Sequence, residues 1–141
     1  VLDRSTLASA EGLRLGAYTL AEASGDAPQV ILIGSGTELS LALEARDTLE
    51  TEGISTRVVS MPSWRMFQWQ DASYQERILP PAVSARVSRP AGTTFGWERR
   101  VGTSGVAIGL DRFGASAPAE TLYERFGITA GRVVAAAKGM L

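Results

Sequence analysis

The sequence predicts an α/β fold in which helices cover both faces of one sheet. Short β-rich runs alternate with helical stretches along most of the chain. Residues 30–33 form a continuous apolar run, which is typical of a strand buried on both faces of a parallel sheet. The chain has 141 residues, a length that suits one domain with a single core.

Five strands are predicted from runs rich in β-branched and apolar residues. They cover residues 16–22, 30–33, 57–61, 83–89 and 105–110. Pro62 ends the third strand because proline cannot donate to a strand ladder. The number of strands is enough for one sheet buried between two helical layers.

The helices are predicted from capping signals and from the spacing of apolar residues. Ser35 and Glu38 match the S-x-x-E capping box, and Leu39 starts an apolar pattern with helical spacing. The pattern predicts a helix from about residue 37 to 52. Further helices are predicted at residues 118–126 and 130–141, and residues 63–79 predict one or two short helices closed by a Pro-Pro pair.

The beginning of the chain shows no clear period. Residues 1–15 are therefore interpreted as an interdomain linker, and residues 16–141 as one domain. The chain begins with Val1 and not with methionine, as we would expect of a fragment or a processed chain.

Charge and hydropathy exclude several classes of partner. Fourteen basic and fifteen acidic residues give a formal net charge of −1, so we expect neither nucleic acid nor an anionic membrane as a partner. No apolar run approaches the ~20 residues that span a bilayer, and the first residues do not resemble a signal peptide. The expected location is the cytoplasm.

The sequence contains no histidine, no cysteine and no asparagine. Most metal sites and most acid–base relays use one of the first two. The run GASAP at 114–118 is similar to a serine-hydrolase elbow, but the serine would have no histidine as its base. We therefore predict no catalytic, cofactor-binding or metal-binding residue in this chain.

One candidate anion site lies at the start of the first long helix. Ser35, Gly36 and Thr37 follow a buried strand, where backbone amides and the helix dipole attract phosphate. A dinucleotide fingerprint would need glycine where Leu39 stands, so a plain strand-to-helix turn is favoured and the anion site stays an alternative. Five arginines (Arg86, Arg89, Arg99, Arg100 and Arg112) could serve the same anion or form a solvated rim.

Large aromatic residues concentrate in two irregular segments. They are Trp64, Phe67 and Trp69 in the first, and Phe95 and Trp97 in the second. Aromatic side chains are enriched at protein interfaces. Packing in the core and contact with another domain or subunit are both open interpretations.

Three runs carry a resemblance to a known family. They are RVVSMPSW at 57–64, ILPP at 78–81 and DRFGASAPA at 111–119, with FGW at 95–97 and VVAAAK at 133–138 continuing the likeness. Together they resemble transketolase from about residue 30 to the C-terminus. Deoxyxylulose phosphate synthase and the beta subunit of pyruvate dehydrogenase share the domain fold but look different at residues 57–81.

The resemblance implies a C-terminal domain with a three-layer α/β/α sandwich. Its five-stranded sheet would be mostly parallel, with one antiparallel edge strand. The whole enzyme carries thiamine diphosphate and a divalent metal, magnesium or calcium, between its other two domains. It transfers a two-carbon ketol unit between sugar phosphates in the pentose phosphate pathway. The implied partners are those domains and the second subunit of a homodimer.

This chain departs from the family's cofactor motif. That motif begins Gly-Asp-Gly and ends in asparagine, whereas the nearest match here is GDA at 25–27, in a chain without asparagine. The first hypothesis is therefore a structural and interaction domain of transketolase that is not catalytic alone. The alternative is a regulatory domain that binds a small anion. An independent enzyme is disfavoured because histidine, cysteine and asparagine are absent.

Overall fold

The computed structural model describes residues 2–3, 5–89, 102, 104–107 and 129–141. Its five strands are β1 (Tyr18–Ala21), β2 (Val30–Gly34), β3 (Thr56–Ser60), β4 (Arg86–Arg89) and β5 (Val106–Ala107). They form one sheet in the order β1-β3-β2-β4-β5. Strand β1 is antiparallel to β3, and the other neighbours are parallel. The predicted mostly parallel sheet with one antiparallel edge strand is confirmed.

Four α-helices are described. They are α1 (Glu38–Thr51), α2 (Trp64–Gln68), α3 (Ala72–Ile78) and α4 (Ala130–Gly139). The predicted helical segment at 63–79 is thus two helices, the first capped by Ser63 Oγ, which accepts from the Met66 amide. The helix predicted at 118–126 and residues 108–110 of the predicted fifth strand lie outside the described residues.

Alternate side chains of β2 face the two helical layers. Val30 and Leu32 belong to the cluster formed with α1 and α4, while Ile31 and Ile33 belong to the cluster formed with α2 and the end of α3. All of β2 is buried, which explains its continuous apolar sequence. The three predicted layers are present.

The capping box predicted at the start of α1 does not form. Thr37 and not Ser35 is the N-cap, and no side chain caps the helix. Gly36 lies in the left-handed region with φ of 57°, so the right-handed helix can begin only after it. Glu38 is consequently the first helical residue, and the Ser35 carbonyl accepts a hydrogen bond from its amide over 3.3 Å.

The segment predicted as a linker is folded against the sheet. Residues Ala10–Leu15 form a 3-10 helix, and Ser9 Oγ caps it by accepting from the Glu11 amide. Gly16 ends this helix in the left-handed conformation, with φ of 81°. The described residues ahead of β1 therefore have a defined path along the domain.

Candidate functional site

The predicted anion loop is occupied at its helix end by a carboxylate of the chain itself. Ser35 is half-buried and Gly36 and Thr37 are exposed, but Glu38 is only 3% exposed. Thr37 Oγ1 donates to Glu38 Oε1 over 3.0 Å, and a Cβ added at Gly36 would lie 3.6 Å from Oε2. A second anion at this loop would approach that carboxylate, which opposes binding.

Arg86, one of the five arginines considered for the anion, binds main-chain carbonyls. It donates Nε to Val83 O over 2.9 Å and Nη2 to Pro80 O over 2.8 Å. Burial lowers the pKa of Arg86 from its ordinary value. Its guanidinium thus fastens the loop between α3 and β4. The side chain of Arg89, and all of Arg99, Arg100 and Arg112, lie outside the described residues.

A charged network joins the loop after β1 to β3, α1 and α3. Buried Arg57 on β3 donates Nε to Glu22 Oε1 over 2.7 Å and Nη2 to Oε2 over 3.1 Å. Its Nη1 reaches the carbonyls of Arg77 and Ile78 at the end of α3. A cation at a helix C-terminus is stabilised by the helix dipole. Arg46 on α1 completes the network by donating Nη2 to the Glu22 carbonyl over 2.6 Å.

Opposing effects act on the pKa of the Glu22 carboxyl. Partial burial would raise its pKa, but the hydrogen bond from Arg57, the Ala23 amide and the nearby positive charges outweigh it. The pKa of Glu22 is therefore lowered from its ordinary value. A carboxylate held in its charged form by an arginine is suited to a structural ion pair and not to proton transfer near neutral pH.

Glu50 at the end of α1 makes a second carboxylate clasp. Its Oε1 accepts from the amides of Ser24 and Thr56 over 3.0 and 2.8 Å, and Oε2 accepts from the Ser24 hydroxyl. Burial would raise the pKa of Glu50, but these hydrogen bonds lower it below the ordinary value. The clasp joins α1, β3 and the loop after β1.

The first aromatic segment divides between core and surface. Phe67 is 1% exposed and packs edge-on against Tyr74, with ring centroids 6.3 Å apart. Of the two interpretations left open for Phe67, the structure therefore supports packing in the core. Trp64, three residues earlier on the same helical face, is partly buried against that cluster. Trp69 lies two residues beyond Phe67 and is 73% exposed. Phe95 and Trp97 lie outside the described residues.

An open cleft of about 760 Å³ lies between the start of the chain and α1. Its lining combines apolar Leu2, Leu7 and Leu43 with carboxylates at its rim. Two of those carboxylates are already paired, Glu22 with Arg57 and Asp47 with Arg46. The cleft does not assemble a catalytic set.

The described residues form neither a cluster of metal-ligand side chains nor a membrane-spanning helix. Within residues 2–3, 5–89, 102, 104–107 and 129–141, no three carboxylate, histidine or cysteine side chains are grouped to hold a metal ion. In the same part of the chain, no helix has the length and apolar character to cross a bilayer. The arrangement is that of a three-layer domain. Among the described charged side chains, Arg57, Glu22 and Glu50 bind groups of the domain itself.

Comparisons with known proteins agree with this class. The family model described as the transketolase-like C-terminal domain matches residues 16–129. A chloroplastic transketolase from Craterostigma plantagineum is 53% identical over 134 residues, which cover 94% of this chain and 26% of that protein. A transketolase structure from Leishmania mexicana has a TM-score of 0.85 and 39% identity, covering 96% of this chain and 19% of that one.

The chain belongs to the family of transketolase-like C-terminal domains. It spans about a quarter of the length of the first of these relatives and about a fifth of the second. A third match is a chain of a split-gene transketolase described as an inactive beta4 tetramer. It has a TM-score of 0.67 and 25% identity over 89% of this chain and 42% of that one.

The cytoplasmic location expected from the sequence is wrong. The relative from Craterostigma plantagineum, with 53% identity, is a chloroplastic protein by name. A missing signal peptide in a sequence that spans only part of its relatives does not define a compartment.

Sequence reasoning missed the Arg57 network and the cleft. Arg57 is the first residue of a predicted strand, and a charge buried in a sheet requires a partner, so this arginine was a usable signal. The partner Glu22 is 35 residues away and could not be identified from spacing. The cleft joins residues near 2–7 with residues near 40–47, and no local pattern predicts that contact.

Proposed function

We propose that this chain is the C-terminal domain of a longer thiamine-diphosphate-dependent transketolase. That enzyme transfers a two-carbon ketol unit between sugar phosphates of the pentose phosphate pathway. The family match over residues 16–129 is the observation that carries the proposal. The domain supplies structure and contacts to the subunit, with residues 16–141 as the domain. Residues 1–15, whose described part packs along the domain, are its connection to the rest.

The proposal assigns the cofactor to other parts of the enzyme. Thiamine diphosphate needs a metal with fixed oxygen ligands and oriented donors for its pyrophosphate. The chain has no histidine, cysteine or asparagine, and its described residues contain no group of metal-ligand side chains. The described residues therefore do not fit the cofactor. Magnesium or calcium would be held elsewhere in the subunit.

The partners are the remaining transketolase domains and the second subunit of a homodimer. Trp69 supports this part, because a tryptophan that is 73% exposed leaves a large apolar side chain in water. Trp64, Phe95 and Trp97 stay in the proposed interface. Phe67 is not in it, because it is sealed in the core.

The non-catalytic role is supported by the split-gene relative. That chain includes the matched region within 42% of its length, and it is described as inactive. A domain that lacks the family's cofactor residues would behave in the same way when isolated.

An exchange of domains tests the proposal. The C-terminal domain of the Craterostigma plantagineum transketolase is replaced by this chain, and ketol transfer and subunit mass are measured. We expect a dimer whose activity is within several-fold of the parent enzyme. The matched control lacks the C-terminal domain altogether. A chimera that folds and dimerises like its parent but has no activity would contradict the proposal.

The alternative function is a regulatory anion site at Ser35, Gly36 and Thr37. Its support is their place at the start of α1, and the neighbouring Glu38 carboxylate opposes it. Titration with inorganic phosphate, followed by the amide resonances of these three residues, separates the two functions. Saturable shifts confined to the loop would favour the regulatory domain, and unchanged resonances would favour the structural domain.

A further inference from the structure

The described residues between 2 and 16, called here the N-terminal strap, cross the edge of the sheet at β1. At one end, Leu2 and Leu7 pack against the cluster beneath α1 and α4. At the other end, the Ser63 amide at the start of α2 donates to the Gly16 carbonyl over 3.0 Å. The strap thus runs from one helical layer to the other around the outer side of β1.

The strap binds the one irregular position of that edge strand. Tyr18 and Thr19 pair with Ser60 and Val59, and the register then shifts before Ala21, so Leu20 is an extra residue opposite β3. The Leu20 carbonyl accepts a hydrogen bond from the Ala8 amide over 3.1 Å. A main-chain group at the sheet edge is therefore engaged by the strap.

Two glycines fit the strap closely to the domain. A Cβ added at Gly12 would overlap the ring of Tyr18. At Gly16 it would overlap the Phe67 amide nitrogen and lie 2.5 Å from the Ser63 carbonyl oxygen. Because both contacts depend on the absence of a side chain, the strap is seated against β1 and α2 and is not a loose covering.

We propose that the N-terminal strap is an edge guard that prevents β1 from pairing with β1 of a second copy of this chain. An edge strand presents main-chain donors and acceptors that can template another strand. Two identical β1 edges can meet antiparallel about a two-fold axis, which gives a closed pair. The strap occupies the position that such a second strand would take beside Leu20.

A shortened chain that begins at Ser9 tests the proposal. It keeps the cap of the 3-10 helix but loses Leu2, Leu7 and the Ala8 amide. Light scattering across a wide range of protein concentration compares it with the full chain. We expect the shortened chain to gain mass with concentration, up to about twofold relative to the full chain. Equal masses at every concentration, with native circular dichroism, would overturn the proposal.

A point variant decides the case if the shortened chain fails to fold. Ala8→Pro removes the amide that binds the Leu20 carbonyl. Ala10→Pro places the same residue at the first position of the 3-10 helix, where proline is tolerated. We expect Ala8→Pro to self-associate more than Ala10→Pro. The same mass for both variants, at equal concentration, would overturn the edge-guard role.

Discussion

Arg57 and Glu22 form a two-pronged ion pair that joins β3 to the loop after β1. The two donor–acceptor distances are 2.7 and 3.1 Å, and the arginine side chain is 11% exposed while the glutamate is 58% exposed. The carboxylate therefore compensates an arginine that is largely removed from water. Removal of Glu22 would leave that charge with main-chain carbonyls alone.

Glu22→Gln should lower the free energy of unfolding by about 1–2 kcal/mol. The cost is below that of a fully buried pair, since half of Glu22 is solvated. Asp47→Asn is the matched control, because Asp47 is 78% exposed and pairs with Arg46 over 3.4 Å. Urea unfolding should show a change of less than ~0.5 kcal/mol for the control. Equal losses of unfolding free energy in the two variants would show that the ion pair between Glu22 and Arg57 stabilises the fold no more than an exposed ion pair does.

The lowered pKa values of Glu22 and Glu50 predict acid sensitivity. Both carboxyls have folded-state pKa values below their ordinary value of 4.5. Each therefore stabilises the fold fully above about pH 4.5, and this contribution is lost as the pH falls through the folded-state pKa. Across this pH range, the melting temperature of the unmodified chain should change more steeply with pH than the melting temperature of Glu22→Gln. The same dependence of melting temperature on pH in both proteins would contradict the lowered pKa of Glu22.

Gly16 and Gly53 have the same left-handed backbone conformation but different surroundings, so substitutions at the two positions compare backbone strain with close contact. Their φ angles are 81° and 80°, but a Cβ would overlap α2 at Gly16 and meet nothing within 4 Å at Gly53. Alanine at either position costs about 1–2 kcal/mol because of the left-handed backbone. Gly16→Ala should cost about 1–3 kcal/mol more, since the overlap must be relieved. Chemical denaturation measures the difference, and equal costs would mean that the strap is not tightly seated on α2.

Phe67 and Trp69 should respond in opposite ways to truncation. Phe67→Ala empties a core position and should cost about 3–5 kcal/mol. Trp69→Ala removes an exposed side chain and should change the stability of the isolated chain by less than ~0.5 kcal/mol. In the domain-exchange enzyme, Trp69→Ala should weaken association with the other domains. A large loss of stability for Trp69→Ala in the isolated chain would remove the tryptophan from the proposed interface.

The sheet could be predicted because its signals are local. The strand β2 is buried on both faces and is therefore apolar throughout, and Pro62 stops the next strand. The start of α1 could not be predicted to the residue, because the φ of Gly36 and not the capping pattern decides where the helix begins. Similarly, the sequence around Phe67 shows an aromatic cluster but does not show which side of a short helix faces the sheet.

The strap illustrates contacts that sequence patterns do not encode. The sequence of residues 1–15 shows no period. The described residues of the strap are held by the hydrogen bond to Leu20, by the packing of Leu2 and Leu7, and by the close approaches at Gly12 and Gly16. The candidate anion loop has the residue types that bind phosphate. Its affinity for an anion also depends on the Glu38 carboxylate. This carboxylate is buried beside the loop because the helix begins at Glu38.

Isothermal titration calorimetry with thiamine diphosphate and magnesium tests the central claim most directly. The isolated chain is first shown to unfold cooperatively, which we expect of a domain with one continuous sheet and two packed faces. The chain has no histidine, cysteine or asparagine, and its described carboxylates are not grouped as metal ligands. We predict no saturable heat, and no ketol transfer from xylulose 5-phosphate by the same sample. Micromolar binding of the cofactor to this chain alone would contradict the account.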